Sequence, residues 1–351
     1  MLKIDGSYGE GGGQILRSTI SLSVLLNKPV EIFNIRSKRP NPGLRPQHIH
    51  SVRALAKIFN AKVQNLDVGN QNIKFIPSTN HYHQDISNID IDIGTAGSIP
   101  MLLQTIIPSI SLSKKNMEIK IIGGTDVIAS PTIDYMKYVV SEMYKNIGIN
   151  FTINVVRRGY YPKGGGIVYA KILPCKNLGL INLITPRSSE PRIVGVCSRL
   201  PRHVLDRQVS TALLHLEKSG YRCNHYIASI EHSISPGSSI LVYTKSDFCQ
   251  YIGGDAVGQK NKTAEEVGKE AVSKFLLNYD KKVPIDHYLA DMLIIPACLA
   301  KGNSRFMIGR ITEHLKTNLY IVSKMVDCKY NITPFRENYM VNIDGMTDFH
   351  I

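Results

Sequence analysis

One pattern returns along the chain with a period of about eighty residues, and it limits the fold more than any composition figure does. Residues 14–26 read as a helix. A strand over 30–36 follows, then a helix opened by Pro46 that carries Val52, Leu55 and Phe59, and strands near 62–66 and 72–76. The order repeats after the glycine turn Gly94-Thr95-Ala96-Gly97, with a helix over 98–112, a strand over 118–122 and a helix opened at Ser130-Pro131. That second helix buries Ile133, Met136, Val140 and Met143 and stops at Gly148, before strands near 151–156 and 167–172. A third copy resumes at Tyr288 with a helix, a strand over 306–309, a helix near 313–326 and a last strand over 338–344. Residues 185–282 interrupt it with an α/β pattern of their own, including a helix from Arg202 to Ser219 capped by Gly220 and one opened by the capping box Thr263-x-x-Glu266. Three βαβαββ-like units with an insertion predict an α/β (α+β) fold. Residues 1–184 and 283–351 form a large three-repeat domain, and residues 185–282 form a smaller inserted α/β domain.

Composition adds a direction. The 351 residues are 43% hydrophobic and 20% charged, enough for a sizeable core, and the net charge of +14 favours a polyanionic partner through counterion release. The six cysteines form no C-x-x-C pair, so neither a zinc site nor a disulfide framework is indicated. No apolar run approaches the ~20 residues needed to span a bilayer, which predicts a soluble, cytoplasmic protein with no membrane partner.

Two glycine triplets point to phosphate. Gly11-Gly12-Gly13 sits directly before an apolar helix, where bare backbone N–H groups and the helix dipole approach anions. Gly164-Gly165-Gly166 closes the basic turn begun at Arg157-Arg158. Glu10, inside the first turn, admits two readings: a carboxylate joined to phosphate by a divalent cation, or one that satisfies the helix dipole. Arg17, one turn further, also admits two readings: a cation projecting toward the same phosphate, or a surface cation. The segment from Arg36 to His48 concentrates four cations between prolines that stiffen it, and reads as a phosphate clamp. No Walker pattern, G-x-S-x-G elbow or H-E-x-x-H spacing exists. Most histidines read as surface residues, His81, His83 and His350 among them. His314 differs because it begins a helix after a short strand, where the dipole disfavours imidazolium and leaves a neutral ring as nucleophile, base or ligand; a satisfied structural histidine is the competing reading.

These motifs together resemble the RNA 3′-terminal phosphate cyclase family over essentially the whole chain. They are the run Asp5-Gly6-x-x-Gly9-Glu10 to Arg17, Arg39-Pro40-x-Pro42-Gly43-Leu44, Gly97-Ser98, Gly123-Gly124-Thr125-Asp126, the signature from Arg158 to Gly166, and Pro201-Arg202-His203-Val204. The style of Glu313-His314-x-x-Thr317-Asn318 is similar to archaeal members. The resemblance implies that ATP and a divalent metal, Mg²⁺ or Mn²⁺, serve to turn an RNA 3′-phosphate into a 2′,3′-cyclic phosphate. It implies a covalent histidine–AMP at His314 and an RNA(3′)pp(5′)A intermediate. It further implies that Glu10 holds metal, that Arg17, Arg36, Arg39 and Gln47 bind phosphates, and that Gln104, Pro131, Tyr288 and Asp291 line the adenylate pocket. Bacterial members often carry glutamine where this chain has Met292. A related non-catalytic branch, RNA-binding and involved in ribosome assembly, shares the fold but lacks the histidine, so its presence implies the enzyme. Enolpyruvyl transferases on a similar repeated scaffold are disfavoured by the insertion and by His314.

Overall fold

The computed structural model describes residues 1–78, 87–185, 189–244 and 250–347; His81, His83, Cys249 and His350 lie outside the described residues. The first unit runs β1 (Leu2–Asp5), α1 (Gly13–Leu25), β2 (Val30–Phe33), α2 (Pro46–Ile58), β3 (Lys62–Gln64) and β4 (Ile73–Ile76), with strand order β1-β2-β4-β3. The second runs β5 (Asn88–Asp92), α3 (Ile99–Leu112), β6 (Met117–Gly123), α4 (Ile133–Tyr135), α5 (Ser141–Asn146), β7 (Phe151–Arg157) and β8 (Gly166–Ile172), in the order β5-β6-β8-β7. The third begins at β9 (Asn182–Leu183). It is interrupted by β10 (Pro191–Ser198), α6 (Arg202–Lys218), β11 (His225–Ile230), β12 (Gly237–Thr244), β13 (Gly253–Val257) and α7 (Ala264–Tyr279). It then resumes with α8 (His287–Leu299), β14 (Asn303–Ile308), α9 (Glu313–Met325), β15 (Lys329–Phe335) and β16 (Asn338–Asp344), giving β9-β14-β16-β15. In each unit the first two strands are parallel and the remaining pairs antiparallel, so the same topology occurs three times.

Two strands of the third unit were not anticipated. β9 has only two residues, and β15 is almost wholly exposed and contains Pro334, so neither shows an alternating apolar pattern. The helix opened near Pro131 does bury Ile133, Met136, Val140 and Met143. Between α4 and α5, however, it widens into a π turn over Met136–Val140, which the spacing of apolar residues does not reveal.

One core runs through all three units and continues into the interrupting sheet, β11-β10-β12-β13. Strand alternation explains how. Val194, Val196, Leu241 and Tyr243 point to the three-unit core, while Ile193, Cys197, Ile240 and Val242 point to α6 and α7. β10 and β12 are therefore buried on both faces, while the edge strand β11 stays largely exposed.

The Arg158–Gly166 signature secures this junction. Arg158, 3% exposed, makes a two-pronged contact with Asp134 (2.8 and 3.1 Å), reaches Asp126 at 3.3 Å, and donates from Nε to Glu231 at 2.8 Å, just beyond β11. Its backbone N–H donates to the His232 carbonyl at 2.8 Å. The expectation that the second glycine triplet bares backbone for phosphate is corrected here. A Cβ on Gly159 would stand 2.2 Å from the Gly123 carbonyl oxygen, one on Gly164 2.7 Å from the Ala96 Cα, and one on Gly165 2.4 Å from the Ile234 Cδ1. These glycines let loops of the second unit and the inserted segment close on one another, a packing demand that leaves the same mark in a sequence as a ligand does.

Candidate active site

The starts of six helices, α1, α2, α3, α4, α8 and α9, converge on one region. A cavity of ≈ 320 Å³ opens there, lined by Gln14 and Arg17 of α1, Met101 and Gln104 of α3, Ser130 and Pro131 ahead of α4, Tyr288 and Asp291 of α8, and His314 of α9. Gln47, second in α2, lines an adjoining cavity of ≈ 270 Å³ that shares Met101, Ala129 and Ser130 with the first. Side-chain caps satisfy first-turn N–H groups of α3, α4, α8 and α9, while α1 has none, and the positive dipole ends turned to one region favour negative charge there.

At one end, α1 begins with Gly12 as its N-cap, which supplies no side-chain acceptor for the first N–H groups. Arg17 folds back over that start: its Nη1 lies 3.1 Å from where a Cβ on Gly13 would be, and its Nη2 donates to Gln14 Oε1 at 2.6 Å. Burial lowers the Arg17 pKa to about 10, which still leaves the guanidinium charged at neutral pH. His314 stands in the first turn of α9, whose N-cap Thr312 accepts from the Leu315 N–H at 2.8 Å and donates to Asp291 Oδ1 at 2.6 Å. Burial pushes the His314 pKa below the ordinary histidine value; Glu10 pulls it partly back, and Arg17 and Arg39 push it down further. The ring is therefore largely unprotonated at neutral pH, as a nucleophile must be.

The Tyr8–Gly13 loop lies along the same helix. Tyr8 stacks on Tyr320 with ring centroids 3.9 Å apart, and Gly9, at φ +59, leaves no room for a Cβ beside Thr317 Oγ1, one turn past His314. This brings Glu10 to the histidine, where it pairs with Arg39 at 2.8 Å. Asn318 fastens the frame: its Oδ1 accepts from Ser18 Oγ (2.6 Å) and Gln14 Nε2 (3.1 Å), and its Nδ2 donates to the Asp291 carbonyl (2.6 Å).

At the other end Tyr288, 40% exposed, lines the cavity with Pro131, its ring tilted against that of His287 with centroids 4.1 Å apart. Burial raises the Asp291 pKa to about 8, opposed by the Thr312 hydrogen bond. The buried Asp286 holds this end together by accepting from Tyr135 Oη (2.8 Å), Gly253 N (2.9 Å), Tyr288 N (2.9 Å) and Leu289 N (3.0 Å).

Six of the residues named from the sequence line the cavity: Arg17, Gln104, Pro131, Tyr288, Asp291 and His314. Glu10, Arg36, Arg39 and Gln47 do not. Glu10 and Arg39 stand close enough to act on the His314 charge, and Arg36, in the left-handed region at φ +55, spends one N–H on the Asn41 carbonyl at 3.4 Å. Met292 lines the cavity at the glutamine position noted above. Sequence reasoning missed Tyr135, Asp255 and Lys274, the last two brought by β13 and α7 of the inserted segment. Long-range folding delivers Asp255 and Lys274, whereas Tyr135 stands one turn past Pro131; no local motif marks any of the three.

Among the described residues no group of three or more His, Cys, Asp or Glu side chains is arranged to hold a metal ion. Glu10 is a single partly exposed carboxylate. Its Oε2 is paired with Arg39 at 2.8 Å, so a cation there would have to draw most of its ligands from outside the protein. No helix among the described residues is long and apolar enough to cross a membrane.

Residues 8–332 match the family model described as RNA 3′-terminal phosphate cyclase. Curated proteins of that name are similar over nearly their whole length. The one from Pyrobaculum aerophilum is 38% identical over 347 residues, 98% of each chain. That from Pyrococcus furiosus is 42% identical over 325 residues, 92% of this chain and 93% of the relative. The Saccharolobus solfataricus protein is 41% identical over 339 residues, 96% and 98% respectively.

Proposed function

The chain belongs to the RNA 3′-terminal phosphate cyclase family, and we propose that it uses ATP to close an RNA 3′-phosphate into a 2′,3′-cyclic phosphate through covalent His314–AMP. The observation that carries this reading is a half-buried histidine at a helix start, its pKa lowered by burial, lining one cavity with Arg17 and Tyr288.

In the first step an imidazole nitrogen of His314 attacks the α-phosphorus of ATP, the bond to the bridging oxygen breaks, and pyrophosphate leaves. In the second, an oxygen of the RNA 3′-phosphate attacks the same phosphorus and the histidine departs, giving RNA(3′)pp(5′)A. In the third, the neighbouring 2′-hydroxyl attacks the RNA phosphorus, loses its proton, and expels AMP. Arg17, Arg36, Arg39, Gln47 and the α1 N–H groups hold negative oxygens. Tyr288 and Pro131 hold the base, and Gln104 and Asp291 face the ribose. Glu10 and substrate phosphate oxygens together would hold a divalent ion, Mg²⁺ or Mn²⁺, whose contribution is charge neutralisation. Residues 1–184 and 283–351 act as the catalytic domain and residues 185–282 as an inserted one.

The test is labelling with α-³²P-ATP. His314→Ala should carry no adduct while its unfolding temperature stays within about 2 °C of the parent, the effect of a surface-scale change. A variant that still labels refutes the assignment.

A further inference from the structure

We propose that the adjoining cavity of ≈ 270 Å³ receives the 3′-terminal nucleoside of the RNA, whose base stacks on Tyr161. The proposal rests on the reading that His314 takes AMP from ATP and passes it to an RNA 3′-phosphate.

The two cavities differ in character. Arg17, Asp255, Lys274, Asp291 and His314 line the first, whereas no charged side chain among the described residues lines the second. The second is apolar at Val127, Ile128 and Tyr161, and polar at Gln47 and at the hydroxyls of Ser98 and Ser130, which are hydrogen-bonded to each other. A triphosphate finds no counter-charge in such a lining. A flat, neutral group with a few polar edges, such as a nucleoside, suits it. Because the cavities share Met101, Ala129 and Ser130, a nucleoside seated in the second delivers its 3′-phosphate toward the first, where the adenylate is held.

Tyr161 and Ile128 identify a base as the occupant. Among the described residues they are the two most exposed large apolar side chains, at 76% and 62%, and both line this cavity. Single exposed apolar residues are ordinary on a protein surface, but two that share a cavity mark a contact site. The loop carrying Tyr161 is also fixed. Arg158, Gly159 and Tyr160 before it and Gly164 and Gly166 after it are buried, the Gly164 N–H donates to the Tyr160 carbonyl at 2.8 Å, and the Lys163 N–H donates to Ser235 Oγ at 3.3 Å. The exposed tip consists of Tyr161, Pro162 and Lys163. Packing therefore accounts for the flanks of the Arg158–Gly166 signature and leaves its tip for another task. Every base has a π face to lay on a tyrosine, so the contact orders the RNA end without reading its sequence.

The experiment uses the full-length protein and an RNA oligonucleotide ending in a 3′-phosphate. Cyclisation is followed at saturating ATP, beside protein labelling by α-³²P-ATP without RNA. Tyr161→Ala should raise the KM for RNA by about tenfold or more, the scale of one base–aromatic stack, with kcat unchanged, which is the mark of lost substrate binding. Labelling without RNA should keep the parental rate, and Tyr161→Phe should restore the parental KM. An RNA whose 3′-terminal residue lacks its base should show the raised KM in the parent and no further rise in Tyr161→Ala, because the two changes remove one contact. Ile128→Ser should raise the KM for the intact RNA and not for the abasic one, and it decides the matter if Tyr161→Ala fails to fold. An unchanged KM in Tyr161→Ala, a phenylalanine variant as poor as the alanine one, or losses from the abasic end and the variant that multiply overturns the proposal. A parent that takes no label from ATP, or cyclises no RNA, overturns the underlying reading as well, and is told apart because no KM then exists.

Discussion

Replacing Arg158 with Met tests whether the signature motif is a structural clasp. The guanidinium is 3% exposed and serves Asp126, Asp134 and Glu231 at once, and Asp126 and Asp134 are themselves buried. Methionine fills comparable volume but leaves those carboxylates with no counter-ion, and removing one partner of a buried ion pair costs about 3–5 kcal/mol. With an unfolding entropy of about 2.1 cal/mol/K per residue, a chain of 351 residues unfolding as one unit converts that loss to a drop of about 4–7 °C in Tm. The pH dependence is more diagnostic. Burial already raises the Asp126 pKa to about 6 despite the opposing pull of Arg158, and without Arg158 it rises further. A folded-state carboxyl pKa above its unfolded value means that the folded state binds more protons, so stability falls as pH rises through that window. The Tm gap between parent and Arg158→Met should therefore be wider at pH 8 than at pH 5, measured by calorimetry. A gap worth less than about 1 kcal/mol, or one equal at both pH values, would show that the network contributes no more than a surface pair and refute the reasoning.

Two further outcomes follow from other parts of the molecule. Because the His314 pKa is depressed, the rate of AMP labelling should hold steady from pH 8 down to the ordinary histidine range and fall by half only below about 6.5, as imidazole protonates; a midpoint above pH 7 in a rate profile contradicts this. Cys298 and Cys328 hold their sulfurs 3.4 Å apart, and treatment with oxidised glutathione should remove two thiols by titration and raise the Tm by about 5 °C, since closing a loop of this size is worth about 3–4 kcal/mol; an unchanged thiol count, or the same rise in Cys298→Ser, counts against a cystine at that position.

Helix starts were the most legible part of this chain. Pro46 opens α2, Thr263 and Glu266 form a reciprocal cap on α7, and Thr312 caps the helix of His314, each a local hydrogen-bonding rule written within four residues. Since the candidate site is assembled at helix starts, much of it was legible for the same reason, Arg17 and His314 included. What stayed hidden depends on distance along the chain. Asp255 and Lys274 reach the cavity because β13 and α7 fold back beside Thr132, over a hundred positions away in sequence. The Gly164–Gly166 triplet was legible as a place with no room for side chains, but a neighbouring backbone and a phosphate exclude a Cβ equally well, and only the structure separates them.

The three units share one topology yet give the site different residues from corresponding places: Gln47, Pro131 and His314 stand at or just before the start of the second helix in the first, second and third unit. No single unit encloses the cavity. One unit alone supplies only part of the lining, so the enclosure exists only where all three units meet. A substitution at His314 would accordingly leave the walls that the first and second units contribute untouched.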